Sequence, residues 1–232
     1  MRISSLLRPP RDSRSRYLFL LIWLIVYLLG DAVAFEIGGT TRVVDLIFAG
    51  VLLATLRMLS RNPVEFAVAT SIGGLTMVAA FIATIHPTVA ILATKSVLAA
   101  AFCGFLSAVI LREVLQDDVV DADTIRGAIC AYLFVGVCWA GAYAFVEELS
   151  PGSLSLPAEA HGAVAGETRP ESLLYFSFVT LATLGYGDIL PTTPVTRALA
   201  WMEAVFGQFY IAALVARLVG LMQMRPPDGR GR

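Results

Sequence analysis

Apolar residues run along this chain in long blocks, and the polar residues collect in the gaps between them. Six blocks, near 17–34, 43–60, 64–85, 88–111, 125–147 and 194–222, each reach the roughly 17–25 residues that a helix needs to cross a hydrocarbon core. A further stretch, LLYFSFVTLAT at 173–183, is apolar but covers only about three helical turns, too short to span at 1.5 Å per residue. Pro170 fits the first position of that short helix, with Glu171 and Ser172 behind it. The pattern predicts a segment that enters the membrane partway and returns as TLGYGD at 183–188. Irregular backbone at that depth is tolerated only where it is buried in protein or lines a watery cavity, so a re-entrant loop implies a pore.

Composition agrees with the blocks. Hydrophobic residues make up 57% of the chain and charged ones 15%, with a mean hydropathy of +0.76, far from an ordinary soluble domain. The expected partner is therefore the lipid bilayer. Seventeen basic residues balance 18 acidic ones, which leaves no basic face for a nucleic acid. Cys103, Cys130 and Cys138 all lie in apolar blocks and are expected to pack as small apolar residues outside any disulfide framework.

Charge position orients the chain. Arg2, Arg8, Arg11, Arg14 and Arg16 precede the first block, and no small-residue cleavage site closes it, so an uncleaved anchor with a cytoplasmic amino terminus is expected. Six spans then put Arg57, Arg61, Arg112, Arg126, Arg217, Arg225, Arg230 and Arg232 inside, and only Arg42, Arg169 and Arg197 outside. That asymmetry follows the positive-inside rule and makes the carboxy terminus cytoplasmic as well. The compact loops and basic leader are compatible with a bacterial inner membrane.

The predicted fold is an all-α membrane protein, with a re-entrant pore helix and filter loop. Its parts are a basic cytoplasmic amino terminus at 1–16, a four-helix membrane domain at 17–111, an interfacial linker at 112–124, a pore domain at 125–222 and a short cytoplasmic tail at 223–232. With so short a tail, no nucleotide- or ion-sensing domain is expected.

Gly185 and Gly187 are the residues that helix stability would not select, since glycine costs about 1 kcal/mol against alanine in a helix interior. Thr183, Leu184, Gly185, Tyr186, Gly187 and Asp188 resemble the selectivity filter of potassium channels, and the helix order resembles the tetrameric six-helix members of that family. Pore-module resemblance covers about 125–222; before it, only helix number and order match. The resemblance implies that K+ is held by the backbone carbonyls of Thr183, Leu184, Gly185 and Tyr186 and by the Thr183 hydroxyl, in place of its water shell. Alternate residues must then enter backbone regions closed to side chains, which explains the two glycines. One loop supplies a quarter of each ring, so a homotetramer is expected, with K+ the permeant ion and no cofactor.

The resemblance also assigns supporting residues. Tyr175 and Phe176 occupy positions that brace the filter from behind, by bonding the Tyr186 hydroxyl, or else serve as ordinary core aromatics. Asp188 fits a ring of carboxylates at the outer mouth. Val179 stands where some two-helix relatives carry a glutamate that pairs with this aspartate, so inactivation through that pair is expected to be absent. Gly207 lies where the family often has a hinge, although membrane-helix glycines also serve close packing. Glu203, one turn outward, is costly in lipid and should face the filter scaffold through a hydrogen bond, or gate.

The four leading helices lack the arginine ladder of a voltage sensor. The fourth offers Lys95 and, at its end, Arg112, so weak voltage dependence is expected. Lys95 is expected to pair with Asp45 or Glu36. The linker segment LREVLQDDVVDADT reads as a short interfacial helix ending near a cap at Asp123 and Thr124, or as a solvated link. His86 and His161 have no companions at metal spacing, and neither a nucleophile with its base nor a phosphate loop is present, so no enzyme is expected. A poorly selective cation pore, a non-conducting membrane subunit and an ion-coupled transporter remain the alternatives.

Overall fold

The computed structural model describes residues 16–36, 48, 50–55, 62–116, 121–156 and 170–223. Its elements are α1 (Arg16–Glu36), a helical stretch at 50–55, α2 (Pro63–Ile85), α3 (Val89–Gln116), α4 (Ala122–Leu149), β1 (Leu154–Ser155), α5 (Pro170–Leu181), β2 (Leu190–Pro191) and α6 (Pro194–Gln223). Among the described residues, four helices are long and apolar enough to cross a membrane: α2, α3, α4 and the Pro194–Arg217 part of α6. The apolar stretch of α1, Tyr17–Gly30, is shorter than these; Asp31 follows it in the sequence.

Local chemistry sets the helix ends. Asn62 caps α2, its Oδ1 accepting from the Val64 and Glu65 N–H groups at 3.2 and 3.5 Å, and Pro63 opens the first turn. Pro87 lies in the three-residue turn between α2 and α3, and the His86 N–H closes α2 on the Ile82 carbonyl at 2.8 Å. Asp121 caps α4, accepting from both the backbone N–H and the hydroxyl of Thr124 at 2.8 Å.

These boundaries correct the expected linker. Leu111–Gln116 continue α3 without a break, because the run LREVLQ is made of good helix formers apart from Val114 and holds no glycine or proline to stop it. The cap falls at Asp121, ahead of Asp123 and Thr124. Arg112 approaches Glu65 of α2 at 3.9 Å, and Glu113 accepts from the Tyr17 hydroxyl at 2.6 Å, so the end of α3 is tied to its own bundle.

With so short a connection, α3 and α4 pack against each other along their lengths within one chain. Small residues allow the approach: a Cβ on Gly141 would lie 3.0 Å from Ala100 Cβ and 3.1 Å from the Ser96 carbonyl oxygen. The Ser107 hydroxyl crosses the seam to the Ala131 carbonyl at 2.9 Å, in a buried position. Tyr17, Leu20 and Leu24 of α1 join Phe102, Leu106 and Ile110 of α3 and Phe134 of α4 in the main core. Cys103, Cys130 and Cys138 are free, as the sequence implied. Leu75, Val78, Phe81 and Ile85 of α2 remain exposed, an apolar flank suited to lipid.

Candidate pore loop

Helix α5 spans 12 residues, Pro170–Leu181, or about 18 Å of rise. It begins where the sequence placed it, at Pro170 with Glu171 in the first turn. Its carboxy end closes on itself: Ala182 N–H donates to Phe178 O at 3.0 Å, Thr183 N–H to Thr180 O at 2.9 Å and Leu184 N–H to Val179 O at 2.8 Å. The Tyr132 hydroxyl of α4 reaches the last helical carbonyl, Leu181 O, at 3.4 Å. These contacts occupy the carbonyls that a helix end leaves open.

From there the chain runs out as TLGYGD. Thr183, Gly185 and Gly187 have φ of 57°, 60° and 81°, and Leu184 and Tyr186 between them do not enter that region. A Cβ on Gly185 or Gly187 would meet nothing within 4 Å, so conformation and not space selects glycine there. Thr183 is β-branched, and holding it at positive φ costs on the order of 1–3 kcal/mol. Residues 182–188 are exposed between the buried Leu181 and Ile189, so the loop is anchored at both ends and open between.

The anchors come from all sides. Phe176 stacks edge-on against Tyr143 at a centroid distance of 4.9 Å, in a small core with Leu154, Leu173 and Ile189. Val179 is buried. β2, just beyond the loop, pairs antiparallel with β1, matching Leu154 with Pro191 and Ser155 with Leu190. Thr196, fully buried, donates to the Ser153 carbonyl at 2.8 Å, and Glu147 accepts from the Gly152 and Leu154 N–H groups at 2.6 and 3.0 Å. This clip binds the loop's exit to the end of α4.

Tyr175 differs from expectation. Its hydroxyl donates to Asp188 Oδ2 at 2.7 Å, and not to the Tyr186 hydroxyl. Asp188 lies 13 residues beyond Tyr175 in sequence and within hydrogen-bond reach of it in the fold, whereas Tyr186 is 68% exposed. The bond holds the Asp188 carboxyl below its ordinary pKa and the Tyr175 phenol above its own.

Glu203 faces the scaffold. It is fully buried, accepting from the Tyr143 hydroxyl at 2.6 Å and sharing a hydrogen bond with the Ser177 hydroxyl at 2.5 Å, which joins α4, α5 and α6. Gly207 packs so closely on the Leu181 carbonyl oxygen that a Cβ would collide with it. Next to it, Gln208 Nε2 donates to Thr183 Oγ1 at 2.9 Å. Ser177, Tyr143, Gln208 and the β clip were missed from sequence; a glutamine in an apolar block was the one signal available, since intramembrane polar residues mark function or pairing. Asp45 and the Glu36 side chain lie outside the described residues; among those described, Lys95 acts electrostatically on Glu148 of α4, whose Oε1 accepts from the Ser96 hydroxyl at 3.0 Å.

Four apolar helices of membrane-crossing length define a helical integral membrane protein. Comparison with known proteins points the same way. Residues 155–224 match the family model described as "Ion channel", a stretch well under half of the chain. The chain is 43% identical over 54 residues, 23% of its length, to Two-pore potassium channel 5 of Arabidopsis thaliana. It is 33% identical over 90 residues, 38% of its length, to Two pore potassium channel c of Oryza sativa subsp. japonica. Those stretches amount to only 13% and 17% of the relatives' own lengths. No solved structure matches the chain. The similarity is to ion channels, and it supports a channel over an enzyme.

Proposed function

We propose that four copies of this chain surround a potassium-selective pore that conducts K+ passively down its electrochemical gradient. The observation that carries this reading is the alternation of positive φ at Thr183, Gly185 and Gly187 directly after a 12-residue helix. In this reading the alternation lets the carbonyls of Thr183 to Tyr186 face a common axis. Four such loops around that axis make stacked oxygen rings that replace the hydration shell of K+. The carboxy end of α5, with about half a negative charge, favours a cation in the cavity below. Both relatives carry potassium in their names, which supports the same ion here.

A single chain leaves the faces that such an assembly needs. Trp201, Val205 and Phe209 of α6 are 61%, 46% and 72% exposed, although the helix lies beside the loop. Packing of α3 on the α4 of its own chain supports a non-swapped tetramer, in which each leading bundle sheathes its own pore quarter. One lysine and a terminal arginine in α3 support weak voltage dependence.

Potassium flux from proteoliposomes tests the reading. Wild-type chain should release K+ far faster than Na+, and Tyr186→Asp should still pass cations while losing that preference. A scaffold or non-conducting subunit would release neither, and a transporter would not change selectivity in this manner.

A further inference from the structure

Gln208 lies one residue beyond Gly207 in α6, and its Nε2 donates to Thr183 Oγ1 at 2.9 Å. A threonine hydroxyl has one proton and two lone pairs. The Gln208 amide occupies one lone pair, which leaves one to turn toward an ion. Backbone contact fixes the amide's place, because Gly207 is pressed on the Leu181 carbonyl oxygen with no room for a Cβ. Helix α6 therefore touches the base of the loop at two successive residues. No acid of α6 offsets the amide there: Glu203 is buried and engaged with Tyr143 and Ser177.

We propose that Gln208 is a positioning residue that sets the strength of the innermost ion site. It holds the hydroxyl of a conformationally strained Thr183 in place, and the positive end of its amide dipole lowers the attraction of that oxygen for a cation. The inference rests on the pore reading above, since only there does the Thr183 hydroxyl belong to an ion ring. A weakened inner ring suits conduction, because an ion must be bound firmly enough to enter and loosely enough to leave. It also makes the filter base sensitive to any shift of α6.

The test uses the full chain in bilayers and Ba2+, an ion near K+ in radius with twice its charge, applied from the inner side. Gln208→Leu removes the donor at similar volume, and Ba2+ block should tighten about threefold to tenfold, the worth of a neutral hydrogen bond. Single-channel conductance should fall while the K+ over Na+ preference stays. In a Thr183→Val background the same change at 208 should do nothing, since the hydroxyl is gone, whereas a Thr183→Ser background should keep the effect. Unchanged or weaker block in Gln208→Leu, with K+ selectivity intact, overturns the inference alone. Wild-type channels without K+ preference overturn the pore reading, and this inference with it. A purely structural glutamine would loosen the assembly without tightening the block.

Discussion

The Tyr143 hydroxyl donates to Glu203 Oε2 at 2.6 Å and ties α4 to α6. Ser177 completes the knot, but its single proton faces two acceptors, Glu203 Oε1 at 2.5 Å and the Gly136 carbonyl at 2.8 Å. Both contacts are satisfied only if Glu203 itself donates to Ser177, as a neutral acid. Glu203→Gln keeps a donor and an acceptor in those places and should leave the thermal stability of the solubilised assembly nearly unchanged. Glu203→Leu leaves the buried Tyr143 hydroxyl without its acceptor, while Ser177 keeps the Gly136 carbonyl, and should cost about 1–3 kcal/mol. Equal loss in both variants would remove the neutral-acid count.

Gly207 and Gly74 make a matched pair for a packing test. A Cβ on Gly207 would strike the Leu181 carbonyl, while one on Gly74 meets nothing within 4 Å. Gly207→Ala should destabilise by about 1–3 kcal/mol, as overpacking does, and Gly74→Ala should be neutral or stabilising by up to about 1 kcal/mol. Melting curves of the two variants decide it.

Within the loop the constraint is conformational. Gly185→Ala forces an L side chain to a φ of 60° in open space, at about 1–2 kcal/mol per residue. The helices do not feel that strain, so circular dichroism should be unchanged. Ion flux should lose its K+ preference.

The outer mouth should titrate through Asp188. Its folded-state pKa is depressed, first by the Tyr175 hydroxyl, so the stabilising charge state is fully present above the ordinary aspartate value near ~3.9. It is lost as pH falls through the depressed value. Tyr175→Phe removes the donor and should move the acid midpoint of the external pH titration of current upward. A midpoint that stays or falls would separate Asp188 from this role.

Much of the architecture was legible in the blocks. Pro170 and Glu171 gave the start of α5, and the ends of the apolar blocks near 64–85 and 88–111 fell close to the bounds of α2 and the start of α3, because capping and chain-breaking are local. The misplaced linker shows the limit of that logic: DDVVDADT reads as a boundary anywhere along its acids, and Asp121 won because its carboxylate reaches two groups of Thr124. The loop's partners were mostly illegible. Tyr175 with Asp188, Thr196 with Ser153 and Tyr143 with Glu203 join residues 13, 43 and 60 positions apart, and no periodicity records such pairs. The glycines were readable because their requirement is carried by their own backbone.

The most direct test is the reversal potential of the purified chain in planar bilayers, with K+ on one side and Na+ on the other, recorded through voltage steps. A pore built on Thr183 to Asp188 predicts a potential strongly biased toward K+, with currents that follow the steps with little delay and little steepness. A reversal potential near zero, showing equal passage of Na+, would contradict it.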